Sequence, residues 1–64
     1  MKWIDTYEIV DWLLEKYPNI DPLTIKFTDL QQWVMSLDDF NDDANCCGEK
    51  ILEAIQMTWL NEID

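Results

Sequence analysis

A small all-α fold, a three-helix bundle, is what this sequence predicts, and three observations carry that expectation. Apolar residues recur at helical spacing in three separate stretches. Both prolines lie between the first stretch and the second, and a polar, Asp-rich run lies between the second and the third. With 64 residues the chain has room for one domain, spanning 1–64, and none for a second. So short a chain buries only about 60% of the surface its unfolded form exposes, and its core must rest on a few large side chains. Four Trp, two Tyr and two Phe in a chain that is 48% hydrophobic meet that need, a composition that folds rather than staying disordered.

The first helix is expected to begin at DTYE. Asp5 is placed to cap the free backbone N–H groups, with Glu8 reaching back three residues later, a variant of the capping box. Advancing about 100° per residue, Ile9, Val10, Leu13, Leu14 and Tyr17 gather on one side of the helix. Asp5, Glu8, Asp11 and Glu15 gather on the other, within roughly 120°, and Trp12 falls among them. Pro18 ends the helix, because the residue before a proline avoids the α region. YPNIDPLTIKF then reads as a turn followed by a short extended arm. Leu23, Ile25 and Phe27 alternate with polar residues, as in a strand, but no partner strand is evident and an arm packed on the core is the assignment.

FTDLQQWVMSL carries the clearest helix signal. Thr28 and Gln31 have capping-box spacing, and Leu30, Trp33, Val34 and Leu37 follow the i, i+3, i+4, i+7 pattern. The third helix is expected in EKILEAIQMTWLNEID, with Leu52, Ile55, Trp59 and Ile63 as its buried stripe and Ile51 beside it. Asn45 is its candidate N-cap, which would put Cys46 and Cys47 in its first turn.

Charge limits what such a bundle can do. Fourteen Asp and Glu stand against Lys2, Lys16, Lys26 and Lys50, with no Arg or His, for a net charge of −10. Nucleic-acid binding depends on Lys and Arg displacing counterions, and anionic membranes need the same residues, so neither is an expected partner. The excess suits cations or a basic protein surface. Acids interrupt every apolar N-terminal run, and no run reaches the roughly 20 residues that cross a bilayer, so a soluble, cytoplasmic monomer is expected.

Three constellations invite chemistry. An EF-hand register from Asp39 meets Ala44 where Gly is required and Lys50 at position 12; from Asp38, Phe40 falls at position 3. Neither register is a calcium loop. The adjacent cysteines lack zinc or thioredoxin spacing, a disulfide between neighbours is strained, and no His is present as a base, so they read as incidental small residues. On the first helix, Glu8, Asp11 and Glu15 are near neighbours able to turn oxygens toward one hard divalent cation with modest affinity; the competing reading is a plain solvated face. Acid–base catalysis needs a pocket that a chain this small has little room to form, and no enzymatic activity is expected.

The string YPNIDPLTIKFTDLQQWVMSLDDFNDD, with KWIDTYEI before it and EKILEAI…WLNE after it, resembles the IscX family across essentially the whole chain. These are small acidic proteins of bacterial iron–sulfur cluster assembly. The resemblance implies a helical domain similar to winged-helix and other three-helix DNA-binding folds, without their basic recognition helix. It implies docking on the cysteine desulfurase that supplies sulfur, weak and exchangeable binding of Fe2+, and a role as regulatory adaptor or iron donor. Frataxin shares the acidity and the partner but not the fold.

Carried onto this chain, the metal-binding acids are Asp5, Glu8, Asp11 and Glu15. The partner surface comprises Glu8, Asp11, Glu15, Asp29, Asp38, Asp39, Asp42 and Asp43, with Trp12 as its apolar anchor and Trp3 as a second candidate. Lys26 stands where the family often has Arg. ANCCG departs from the pattern of Pro, small residues and Ser, so Cys46 and Cys47 fall outside the shared function. The alternatives are a generic acidic protein-binding module or nucleic-acid mimic with no iron role, and a metal-dependent enzyme, which nothing in the spacing supports.

Overall fold

A computed structural model describes residues 1–63 as α1 (Thr6–Lys16), α2 (Phe27–Met35) and α3 (Glu49–Ile63), with single 3-10 turns at Pro22–Thr24 and Ala44–Cys46. No strand forms among the described residues, and the fold is all-α. α3 is the spine: α1, α2 and the first 3-10 turn all pack against it. Ile9, Val10 and Leu13 of α1, Leu30 and Val34 of α2, and Leu52, Ile55 and Trp59 of α3 make one core with Leu37, just past α2. These residues thus stand where their helical spacing put them.

Trp3 completes that core from outside any helix. It is 1% exposed and meets the Phe40 ring edge-on, with centroids 4.7 Å apart. Tyr17 at the end of α1 stacks on Trp33 of α2 at 4.2 Å, tying the two helices together. Trp59 is fully buried and its indole N–H has no hydrogen-bond partner, so its contribution is apolar packing.

Several local expectations are corrected. Asp5 precedes α1 but makes no side-chain cap; its Oδ2 accepts from the Lys2 N–H at 2.9 Å, closing the turn before the helix. At α2 the helix starts at Phe27, so Thr28 lies inside its first turn, and the Gln31 side chain donates to the Ala44 carbonyl at 3.2 Å instead of reaching back. Asn45 does not cap α3. Asp43 Oδ1 accepts the Asn45 N–H at 2.9 Å, which starts the second 3-10 turn, and α3 begins only after Gly48. Cys46 and Cys47 therefore lie ahead of the helix.

The arm is a 3-10 turn rather than an alternating strand, which reverses one face: Pro22 is buried and Leu23 is 60% exposed. Asp21 Oδ1 accepts from the Leu23 N–H, and Gln56 of α3 donates to the Pro22 carbonyl at 2.9 Å, holding the arm down. Ile63 is 45% exposed rather than part of the stripe, because α3, at 15 residues, outruns the 11 of α1 and the 9 of α2. Asp64, expected to end α3, lies outside the described residues.

Candidate functional site

The fold divides the acids into two regions with different surroundings. On α1, Glu8, Asp11 and Glu15 are all exposed along one face, as the helical spacing requires. Asp5 is half-buried and one of its oxygens is already engaged by Lys2. Among the described residues no three His, Cys, Asp or Glu side chains converge to hold a metal ion. The α1 carboxylates form an open row of hard oxygen donors rather than a cage. Asp29 is also exposed, in the first turn of α2, where a negative charge is favoured by the helix dipole.

The exposure expected of the two tryptophans is corrected. Trp12 is half-buried and packs against the core, and Trp3 is inside it. The wheel places Trp12 among the acids, between Glu8 and Asp5, but an indole is large enough to lean inward from there. The apolar groups that do face solvent near the acids are Ile4, 81% exposed, and Tyr7, 74% exposed.

The second region, Asp38–Asp43, is a receptacle for the first three residues. Asp42 Oδ2 accepts the Trp3 N–H at 3.2 Å, and the Asp43 carbonyl accepts the Trp3 indole N–H at 2.9 Å. The Asp39 carbonyl accepts from the Met1 amino group at 2.9 Å, and Asn41 donates its N–H to the Met1 carbonyl at 3.0 Å. Asp42 Oδ1 accepts from its neighbour's N–H at 2.7 Å. These bonds, from Asp43 first and Trp3 second, hold the Asp42 carboxyl below the usual carboxylate range. Asp38, Asp39 and Asp43 keep exposed side chains. This strap was not foreseen; only the surplus of tryptophans in so small a chain hinted that one might be recruited from a terminus.

The cysteines sit at the edge of this receptacle. The Asp42 charge, then burial, then Asp43 push the exposed Cys46 thiol up, and burial pushes up Cys47. The carboxylates thus act on Cys46 and burial on Cys47, and neither thiol is in the helix. No pocket forms among the described residues, so what the molecule offers is surface. Among the described residues no helix is long and apolar enough to cross a membrane.

Comparison with known proteins adds a whole-chain match. The pattern of the family described as Iron-sulphur cluster assembly covers residues 1–64. An uncharacterised protein of Pseudomonas aeruginosa is 47% identical over 64 residues, which is 100% of this chain and 97% of that protein.

Proposed function

The chain belongs to the iron–sulphur cluster assembly family, the IscX family whose motifs it carries, and from that premise we propose that it is an adaptor docking on the cysteine desulfurase. A role in iron–sulphur cluster assembly comes with the family; the partner, the surface and the iron are our reading. The observation that carries it is the unobstructed row of Glu8, Asp11 and Glu15 on α1, in a protein with net charge −10 and no pocket among its described residues. A negative row of this kind speeds encounter with a basic surface and loses strength as salt screens it. Docking there adjusts how much sulfur the desulfurase releases.

Fe2+ enters this reading as cargo. The row supplies oxygen donors of the hardness Fe2+ accepts but no converging shell, so binding is weak and exchangeable, centred on Asp5, Glu8, Asp11 and Glu15. An ion so held is available for donation to the assembly machinery. Asp29, Asp38 and Asp39 widen the field around the docking face.

The test is titration of the purified desulfurase with the wild-type protein and with Glu8→Lys/Asp11→Lys. Docking is expected to be lost in the variant while its helical circular dichroism is unchanged. A variant that docks as well as the parent refutes the assignment of this face. Anaerobic Fe2+ titration followed by proton–nitrogen NMR should move the amides of α1. Shifts confined to Asp38–Asp43 and the cysteines would transfer the iron site to the strap.

A further inference from the structure

Charge brings partners together, but a lasting complex needs apolar groups buried at the interface centre. Trp3 is buried in the core and Trp12 is half-buried against it, so neither presents a fully exposed ring. We propose that Ile4 and Tyr7 are the anchors of the α1 face, seated in an apolar recess ringed by Lys and Arg on the desulfurase. This inference rests on the docking function proposed above.

Four observations support it. First, Ile4 and Tyr7 are the most exposed large hydrophobic residues among those described, at 81% and 74%, and neither serves the protein's own core. A single exposed apolar side chain is ordinary; here Ile4, in the turn that leads into α1, and Tyr7, in the first turn of α1, are both strongly exposed within four residues of sequence.

Second, the patch is rigid. Ile4 sits in a turn closed by the Asp5 N–H to Lys2 carbonyl bond at 3.0 Å and the Lys2 N–H to Asp5 Oδ2 bond at 2.9 Å. On one side of it Trp3 is locked by its bonds to Asp42 and Asp43, and on the other α1 begins. Side chains presented on so fixed a backbone lose little freedom on binding. Tyr adds a large ring with few rotatable bonds and a polar tip that suits a partly wet interface.

Third, Tyr7 lies beside the acids. On the α1 wheel Tyr7, Asp11, Glu15 and Glu8 occupy an arc of about 100°. Any partner that covers Tyr7 brings the Glu8 and Asp11 carboxylates to its rim, where only cationic side chains compensate their lost water. Fourth, charge excludes the other occupants. A second copy would bring a net charge of −10 against the same face, and neither an anionic membrane nor a nucleic acid offers the required cations. A basic protein surface remains.

The experiment measures binding to the purified desulfurase, at low and at moderate salt, for Ile4→Ser, Tyr7→Ser, Tyr7→Phe and the Glu8→Lys/Asp11→Lys control. Urea unfolding is run in parallel; both anchors are exposed, so the parent's midpoint is expected throughout. Each serine variant should bind about tenfold more weakly with an unchanged salt dependence, and Tyr7→Phe should stay within about threefold of the parent. Serine variants that bind within twofold, while charge reversal still abolishes binding, overturn this inference and leave the docking function standing. A parent that does not bind overturns both. A parent that sediments as a dimer, and a Tyr7→Ser variant that does not, assigns the patch to a second copy and overturns the inference.

Discussion

Trp3→Ala is the substitution for which the structure predicts the largest effect on stability. The indole is 1% exposed, meets Phe40 edge-on at 4.7 Å, and donates to the Asp43 carbonyl at 2.9 Å. Truncating a buried Trp costs about 3–5 kcal/mol, a range that already contains the aromatic pair. The site lies outside any helix, where neighbours relax into the space more easily than in the middle of one, so the lower end, about 3 kcal/mol, is the working figure. At about 0.05–0.15 kcal/mol per residue the whole fold is worth roughly 3–10 kcal/mol. Alanine therefore brings the protein close to the limit of folding.

Urea and thermal unfolding followed by far-ultraviolet circular dichroism measure this; fluorescence is less suitable because three other tryptophans contribute. For a chain of this size about 1 kcal/mol corresponds to about 4–8 °C in Tm, so a fall of at least about 12 °C is expected. Trp3→Phe keeps a ring in the core but loses the indole donor. The Asp43 carbonyl it leaves is in an exposed residue and can be rehydrated, so the hydrogen-bond loss is about 1 kcal/mol. An alanine variant with the parent's midpoint would refute the placement of Trp3 in the core, and with it the strap.

Two further predictions concern the same corner. The Asp42 carboxyl is held below its ordinary value of 3.8 by backbone N–H bonds from Asp43 and Trp3. Its contribution to stability is thus full above the unfolded-state value and is lost as pH falls from there through the lower folded-state value. Urea midpoints recorded down the acid limb should fall for the parent and fall less steeply for Asp42→Asn. At Cys46 the neighbouring Asp42 charge, burial and Asp43 raise the thiol above its ordinary 9.0, so little reactive thiolate is present at neutral pH. Iodoacetamide should label Cys46 at pH 8 more slowly in the folded protein than in urea, and Asp42→Asn should speed the folded reaction; equal rates would deny the coupling.

How far the sequence discloses all this depends on how local the cause is. Leu30 and Val34, or Leu52, Ile55 and Trp59, are core residues because a helical period places them on one face, and a period is visible in a string of letters. The caps are different. Asp5 and Gln31 have the right chemistry at the right spacing, but Lys2 and Ala44 compete for the same groups, and Ala44 is brought near only by the tertiary fold. Trp3 belongs to no periodic segment, and its acceptor Asp42 is 39 residues on, so nothing nearby marks it as core. At the candidate site the acidic face was legible from spacing, while the partial burial of Trp12 and the exposure of Ile4 and Tyr7 were not. A wheel gives direction but not reach, and Trp12 among the acids reaches inward while Tyr7 does not.

The two acidic regions also differ in what they have left to offer. Asp42 and Asp43 direct carboxylate oxygens at backbone N–H groups of the strap and of the second 3-10 turn, and those bonds would have to compete with any incoming cation. Glu8, Asp11 and Glu15 are exposed and separate from those bonds, so a partner or an ion meets them first. Under the proposed function the consequence is thermodynamic. If Fe2+ and the desulfurase use the same α1 carboxylates, each must weaken the other's binding by the same factor, because coupling between two ligands is reciprocal. An ion on α1 cancels part of the charge that attracts the basic surface, and a docked basic surface repels the ion. The adaptor would then be released from the desulfurase as iron rises and would give up its iron as it docks. Response to iron supply and iron donation are, on this surface, two consequences of one competition.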